Sequence, residues 1–148
     1  MNEAAELIIP VAVRDAMVAH CQREAPLEAC GLLGGVAPHV RSCHPLRNVA
    51  ASETRYRADE RDVITINRQL REGGAEILAI YHSHPRWAAV PSKTDLQENF
   101  WEGTPRVIVS LLDPGPEVRI WRLGTDSYEE IAWRLAEESG SLDVEPPA

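Results

Sequence analysis

This sequence has little of several things that would have named a function class early. There are only three cysteines, Cys21, Cys30 and Cys43, and no two stand in C-x-x-C spacing. The odd count and the spacing exclude a disulfide framework and a cysteine-held zinc site. There is one lysine, Lys93, among fifteen basic residues, and the net charge is -8. That balance argues against a nucleic-acid binder, which carries a basic face. No apolar run approaches the length needed to cross a bilayer. The opening "MNEAAELIIP" lacks the basic region and long apolar core of a secretory signal. The expectation is a cytoplasmic, reduced, soluble protein.

What is present suffices for one core: 148 residues, 44% of them hydrophobic. We expect a single domain over residues 1–136 and a polar, Pro-containing, disordered tail over 137–148. Along the chain, "ELII" reads as a strand, and Pro10 opens a helix through residue 24 on the apolar positions Val11, Met17 and Val18. "ACGLLGG" reads as a strand in close contact with other backbone, "HVRSCHPLRNV" as its hairpin partner and "TRYRA" as a short strand. Asp59 starts a helix carrying Val63, Ile66 and Leu70, which Gly73-Gly74 stops. "AEILAIYHSH" is a buried strand, Ser92 opens a short helix to about Phe100, and "RVIVSLL" and "EVRIWRL" are strands around "DPGP". Alternation of Ile131, Trp133 and Leu135 makes "YEEIAWRL" a last strand. The fold class is α/β (α+β): one mixed, mostly antiparallel sheet flanked by helices.

The stretch with chemistry in it is "YHSHPRWAAVPSKTD", residues 81–95. On a strand, His82 and His84 share a face and Ser83 takes the other. Two imidazoles there can share a metal, or simply hydrogen-bond at a strand edge. "SKTD" reads equally as a capping box, Ser92 as the cap and Asp95 reaching back. One carboxylate has oxygens for both a cap and a metal. His82, His84 and Asp95 would together make a two-nitrogen, one-oxygen set that leaves a fourth tetrahedral position open, as catalytic zinc sites do. Such a site needs a base. The candidate is Glu28 in "PLEACGLLGG", a carboxylate at the mouth of a buried strand, where desolvation raises its pKa; a solvated loop residue is the other reading. Cys30 shares its face as a small buried filler. His20, His39 and His44 have no partner at ligand spacing and are read as ordinary surface or strand residues.

Glu28 in "E-x-C-G-L-L-G", followed by His82-Ser83-His84-Pro85, six residues, Ser92, two residues and Asp95, resembles the JAMM, or MPN-plus, zinc metallopeptidase family in its compact prokaryotic form. The resemblance implies a curved sheet between helices, similar to cytidine deaminases. It implies zinc on His82, His84 and Asp95, Glu28 as general acid/base on the zinc-bound water, and Ser92 stabilising the oxyanion. It also implies a peptide or isopeptide bond as substrate, after the C-terminal Gly-Gly tail of a ubiquitin-like or sulfur-carrier protein. Arg86, Trp87 and Val90, between the ligands, are candidate tail contacts; Trp87 as a mere shield is the other reading. A non-catalytic MPN-like binding module is the alternative from a different class. A zinc deaminase would need H-x-E with P-C-x-x-C, which is absent. A RadC-like protein would bring an N-terminal helical region for which this sequence has no room.

Overall fold

The computed structural model describes residues 6–98, 101 and 103–136; the expected tail and the far end of the helix after Ser92 lie outside them. The first strand, β1 (Leu7–Pro10), runs directly into α1 (Val11–Glu24). Val13, Met17 and Cys21 recur at intervals of four and are buried against the sheet. Next come β2 (Cys30–Val36) and β3 (His39–Leu46), an antiparallel hairpin. The second helix, α2 (Glu60–Glu72), starts where Asp59 accepts hydrogen bonds from the backbone N–H groups of Arg61 and Asp62. It stops at Gly73, and Gly74 follows with φ +80, a conformation that favours glycine.

Strand β4 (Glu76–His84) is buried along almost all its length. The short α3 (Lys93–Gln97) leads to β5 (Arg106–Ser110), which lies parallel to β4, and β6 (Glu117–Leu123) returns beside it. The strand order is β7-β6-β5-β4-β2-β3-β1-β8, where β7 is Tyr128–Ile131 and β8 is Trp133–Ala136. The segment expected as one last strand is therefore two. Ile131 and Trp133 do pack on the core, but β7 bonds to β6 and β8 bonds to β1, at opposite ends of the order. A chain that passes from one edge to the other through Ala132 curls the eight strands into a nearly closed sheet. Four strand contacts are antiparallel and three parallel.

"TRYRA" does not become a strand. It makes a single bridge, Asn48 to Ala58, and otherwise closes on the Asn48 side chain, which takes backbone bonds that a sheet neighbour would have taken. The glycines of β2 meet side chains as well as backbone. A Cβ on Gly31 would lie 2.3 Å from the Tyr81 ring, whereas Gly35 faces the backbone of His39. Among the described residues no helix is long and apolar enough to cross a membrane.

Candidate metal centre

Strand β4 divides its residues between two faces. Tyr81 and Ser83 face α1. His82 and His84 face the side covered by α2 and the loop 47–58. Antiparallel pairing sets Cys30 opposite His82, and the ladder extends one step further: Ala29 N–H donates to Ser83 Oγ at 2.8 Å and Ser83 N–H to Ala29 O at 3.0 Å. Glu28 is the next residue, so it falls across from His84 on the site face. The loop holds its backbone: Glu28 N–H donates to Ser52 O at 2.8 Å, and Asn48 Nδ2 donates to Glu28 O at 2.9 Å.

The third ligand candidate arrives from α3. Asp95 serves cap and cluster together. Its Oδ2 accepts from Ser92 N–H at 2.9 Å, and Asp95 N–H donates to Ser92 Oγ at 3.0 Å, completing a capping box. The same carboxylate places Oδ1 3.1 Å from His82 Nε2 and Oδ2 3.1 Å from His84 Nε2. The two Nε2 atoms lie 3.2 Å apart. These three side chains are the group among the described residues whose donor atoms converge as metal ligands do. Four-coordinate ligation with bonds of about 2.0–2.1 Å sets ligand atoms about 3.3 Å apart. The observed spacings match that, so the donor set fits a metal ion.

Protonation states agree. Burial outweighs the Asp95 charge and lowers the His82 pKa, leaving an imidazole lone pair available. Burial by itself would raise the Asp95 pKa, but the His82 and His84 rings draw it well below the usual carboxylate range. His84 Nδ1–H donates to Ala88 O at 2.8 Å, which turns Nε2 toward the cluster. Glu28, by contrast, is pushed up to about 9, first by burial and then by the Asp95 charge. Its Oε1 is buried with no hydrogen-bond partner among the described residues. Exposures of 2% for Glu28, 0% for His82, 1% for His84 and 4% for Asp95 make the site a buried one, where charges interact strongly.

The loop between the ligands is pinned by its carbonyls. Ser110 Oγ donates to Trp87 O, His84 to Ala88 O, and Trp121 Nε1 to Ala89 O at 2.9 Å. Trp87 is left 55% exposed. Arg86 is exposed and pairs with Glu53 at 3.6 Å. Val90 packs on the cluster of Ala89, Ile108, Trp121 and Leu123 and is only half available to a ligand. His20, expected on the surface, is buried in α1 and shares a 2.7 Å hydrogen bond with Tyr81 Oη.

Four residues around the centre were not singled out from sequence. Tyr56 stacks on His82. Asn48 holds Glu28, and Ser83 ties β4 to Ala29. Arg106 is buried at the start of β5, where its charge reaches His82 and Tyr56. The available signals were a lone aromatic in an arginine-rich segment and a cation heading an apolar strand. Tyr56 also lines a groove of about 360 Å³ with Ala58, Val63, Ile64, Glu98 and Trp101.

Comparison with known proteins places this geometry. Residues 10–135 match the family of prokaryotic homologs of the JAB domain. The chain is similar to a probable TtuB-protein conjugate cleaving protease of Thermus thermophilus, 38% identical over 77% of this chain and 81% of that one. It is also similar to the CysO-cysteine peptidase of Mycobacterium tuberculosis, 35% identical over 89% and 92%. The solution structure of a Desulfitobacterium hafniense protein superposes with a TM-score of 0.82 at 30% identity, over 89% of this chain and 94% of that one. A JAB1/MPN domain protein from Archaeoglobus fulgidus, at 17% identity, shares the fold with a TM-score of 0.59 over 90% and 100%.

Proposed function

We propose, starting from the fact that this chain belongs to the family of prokaryotic homologs of the JAB domain, that it is a zinc-dependent peptidase or isopeptidase. Its substrate is a ubiquitin-like or sulfur-carrier protein, cut after the C-terminal Gly-Gly tail. The observation that carries this reading is the convergence of His82, His84 and Asp95 on one point, with Glu28 across the strand ladder from His84. The named activities of the relatives support the substrate class. Two are a TtuB-conjugate protease and a CysO-cysteine peptidase, and a Haloferax volcanii relative, 32% identical over 72% of this chain and 82% of that one, is named a desampylase.

His82, His84 and Asp95 hold the zinc. When bound, zinc supplies a Lewis acid that polarises a carbonyl and acidifies water. Glu28 takes the proton of the attacking water and returns it to the leaving amine. Its buried setting suits both halves. Desolvation and the neighbouring Asp95 charge keep its carboxyl able to hold a proton near neutrality, and a cation held by the three ligands would favour the carboxylate. Ser92 Oγ accepts in the capping box, which leaves its O–H free to donate to the carbonyl oxygen as charge grows there. A well-placed donor of that kind contributes about 3–4 kcal/mol to the transition state. Arg86 and Trp87, on a backbone pinned by Ser110, His84 and Trp121, are the tail contacts; Val90 contributes less. Tyr56, one wall of the groove, is the ring stacked on His82, so the groove and the site are one layer of side chains apart. The Glu53–Arg86 pair linking the two loops is exposed and therefore weak, and parting it to admit a tail costs little.

The test is a zinc assay of the purified protein, followed by incubation with a sulfur carrier extended past its Gly-Gly. Zinc near one per chain and release of the extension, lost in Glu28→Ala with zinc retained, is the expected result. A non-catalytic binding module would bind the carrier and leave it intact.

A further inference from the structure

The two histidines are held in different ways. His84 donates from Nδ1 to the carbonyl of Ala88. His82 Nδ1 is buried and has no hydrogen-bond partner among the described residues. A metal-ligating imidazole ordinarily gives its second N–H to a carbonyl or carboxylate, which fixes its tautomer and its plane. What His82 has is a neighbouring ring. Tyr56 lies with its centroid 4.5 Å away and its plane inclined by only 21°. Near-parallel rings at that distance attract each other, and a flat wall on one face restricts rotation of the imidazole about its Cβ–Cγ bond.

Tyr56 belongs to no strand or helix, so something else must fix it. Asn48 does so on both sides. Its Nδ2 donates to Arg55 O at 3.2 Å and its Oδ1 accepts from Arg57 N–H at 2.9 Å. The same Nδ2 donates to Glu28 O. One amide thus brackets the stacked ring and anchors the carboxylate's backbone.

We propose that Tyr56 is a positioning residue for His82, doing by ring stacking what the Ala88 carbonyl does for His84, with Asn48 setting its backbone. This rests on the reading of His82 as a zinc ligand. The contact is made by the ring, so phenylalanine should serve in its place and an aliphatic residue should not.

The experiment measures zinc affinity by competition with a chromogenic chelator for wild type, Tyr56→Phe and Tyr56→Leu, with the visible spectrum of each cobalt-substituted protein and the metal-free Tm of each. Tyr56→Phe should bind zinc within about twofold of wild type and give the same cobalt bands. Tyr56→Leu should bind about 10-fold or more weakly, with altered bands. If Tyr56→Leu is not folded without metal, Asn48→Ala carries the test, since it frees the loop and keeps the ring; it should weaken zinc binding in the same direction. Wild-type affinity and bands in Tyr56→Leu (in Asn48→Ala, where Tyr56→Leu does not fold) would overturn the proposal, and so would an equal loss in Tyr56→Phe. Failure of the wild type itself to bind zinc would overturn the metal reading beneath it, and that outcome is told apart by the wild type alone.

Discussion

The two faces of β4 are built from alternate residues of one strand and are finished differently. On the α1 side, Tyr81 and Ser83 are fully partnered. Tyr81 Oη meets His20 at 2.7 Å and accepts from Cys43 at 3.6 Å, and Ser83 exchanges bonds with Ala29. On the other side, His82 Nδ1 and Glu28 Oε1 are buried without partners among the described residues. Leaving a buried polar atom unsatisfied costs about 1–3 kcal/mol. A fold able to satisfy one face of a strand has no packing reason to leave polar atoms open on the other. The open atoms cluster where chemistry is proposed, and the satisfied ones where only stability is at stake.

The contrast can be broken most forcefully at Glu28. Glu28→Gln keeps the shape of the side chain and removes its proton transfer, so cleavage of an extended carrier should fall about 10²–10⁴-fold with zinc content unchanged. Cleavage within tenfold of wild type would remove Glu28 from the chemistry. On the other face the largest effect should be steric. Gly31→Ala puts a Cβ where the Tyr81 ring already stands, 2.3 Å from it. Overpacking of this kind costs about 1–3 kcal/mol, read as a lower midpoint in urea. A variant as stable as wild type would show that the Tyr81 side of the sheet is loosely packed.

Glu28 gives a third, pH-dependent, test of the same contrast. Its folded pKa is raised from 4.5 to about 9. Below 4.5 folded and unfolded chains are both protonated there and burial carries no penalty. As pH rises toward 9 the unfolded chain releases its proton first, and metal-free wild type loses stability relative to Glu28→Gln. The gap between the two should widen steadily from pH 5 to pH 8, by up to about 1.4 kcal/mol per pH unit. A constant gap would mean that the carboxylate finds solvent in the metal-free protein.

Much of the site was legible in sequence because its parts are local. Period two on a strand puts His82 and His84 together wherever that strand goes. The Ser92–Asp95 box orients the carboxylate within one helical turn. Glu28 needed one long-range step, the pairing of β2 with β4; its glycine-rich buried run announced close backbone contact but not which strand would supply it. What sequence concealed was decided by partners far along the chain. Alternation over 128–135 identifies a face but not which edge each half joins, so the closure of the sheet through Ala132 was missed. "TRYRA" carries strand propensity, yet the Asn48 side chain outcompeted a sheet neighbour for its backbone. His20 has no local signature, because its partner Tyr81 is 61 residues away.

The smallest effect is the one that isolates the partnered face. Tyr81→Phe removes one hydroxyl from the residue next to His82, on the opposite face of the sheet. His20 Nδ1 then loses its 2.7 Å partner in a buried position, where burial already holds the ring neutral. The expected cost is about 1–2 kcal/mol of stability, the usual loss for one orphaned buried group. Zinc affinity and cleavage rate should stay within about twofold of wild type, because the Tyr81 hydroxyl bonds to His20 of α1, on the face of β4 away from His82 and His84. Should Tyr81→Phe slow cleavage tenfold without shifting the urea midpoint, the sheet would be transmitting between its faces. The hydroxyl network beneath α1 would then belong to the site.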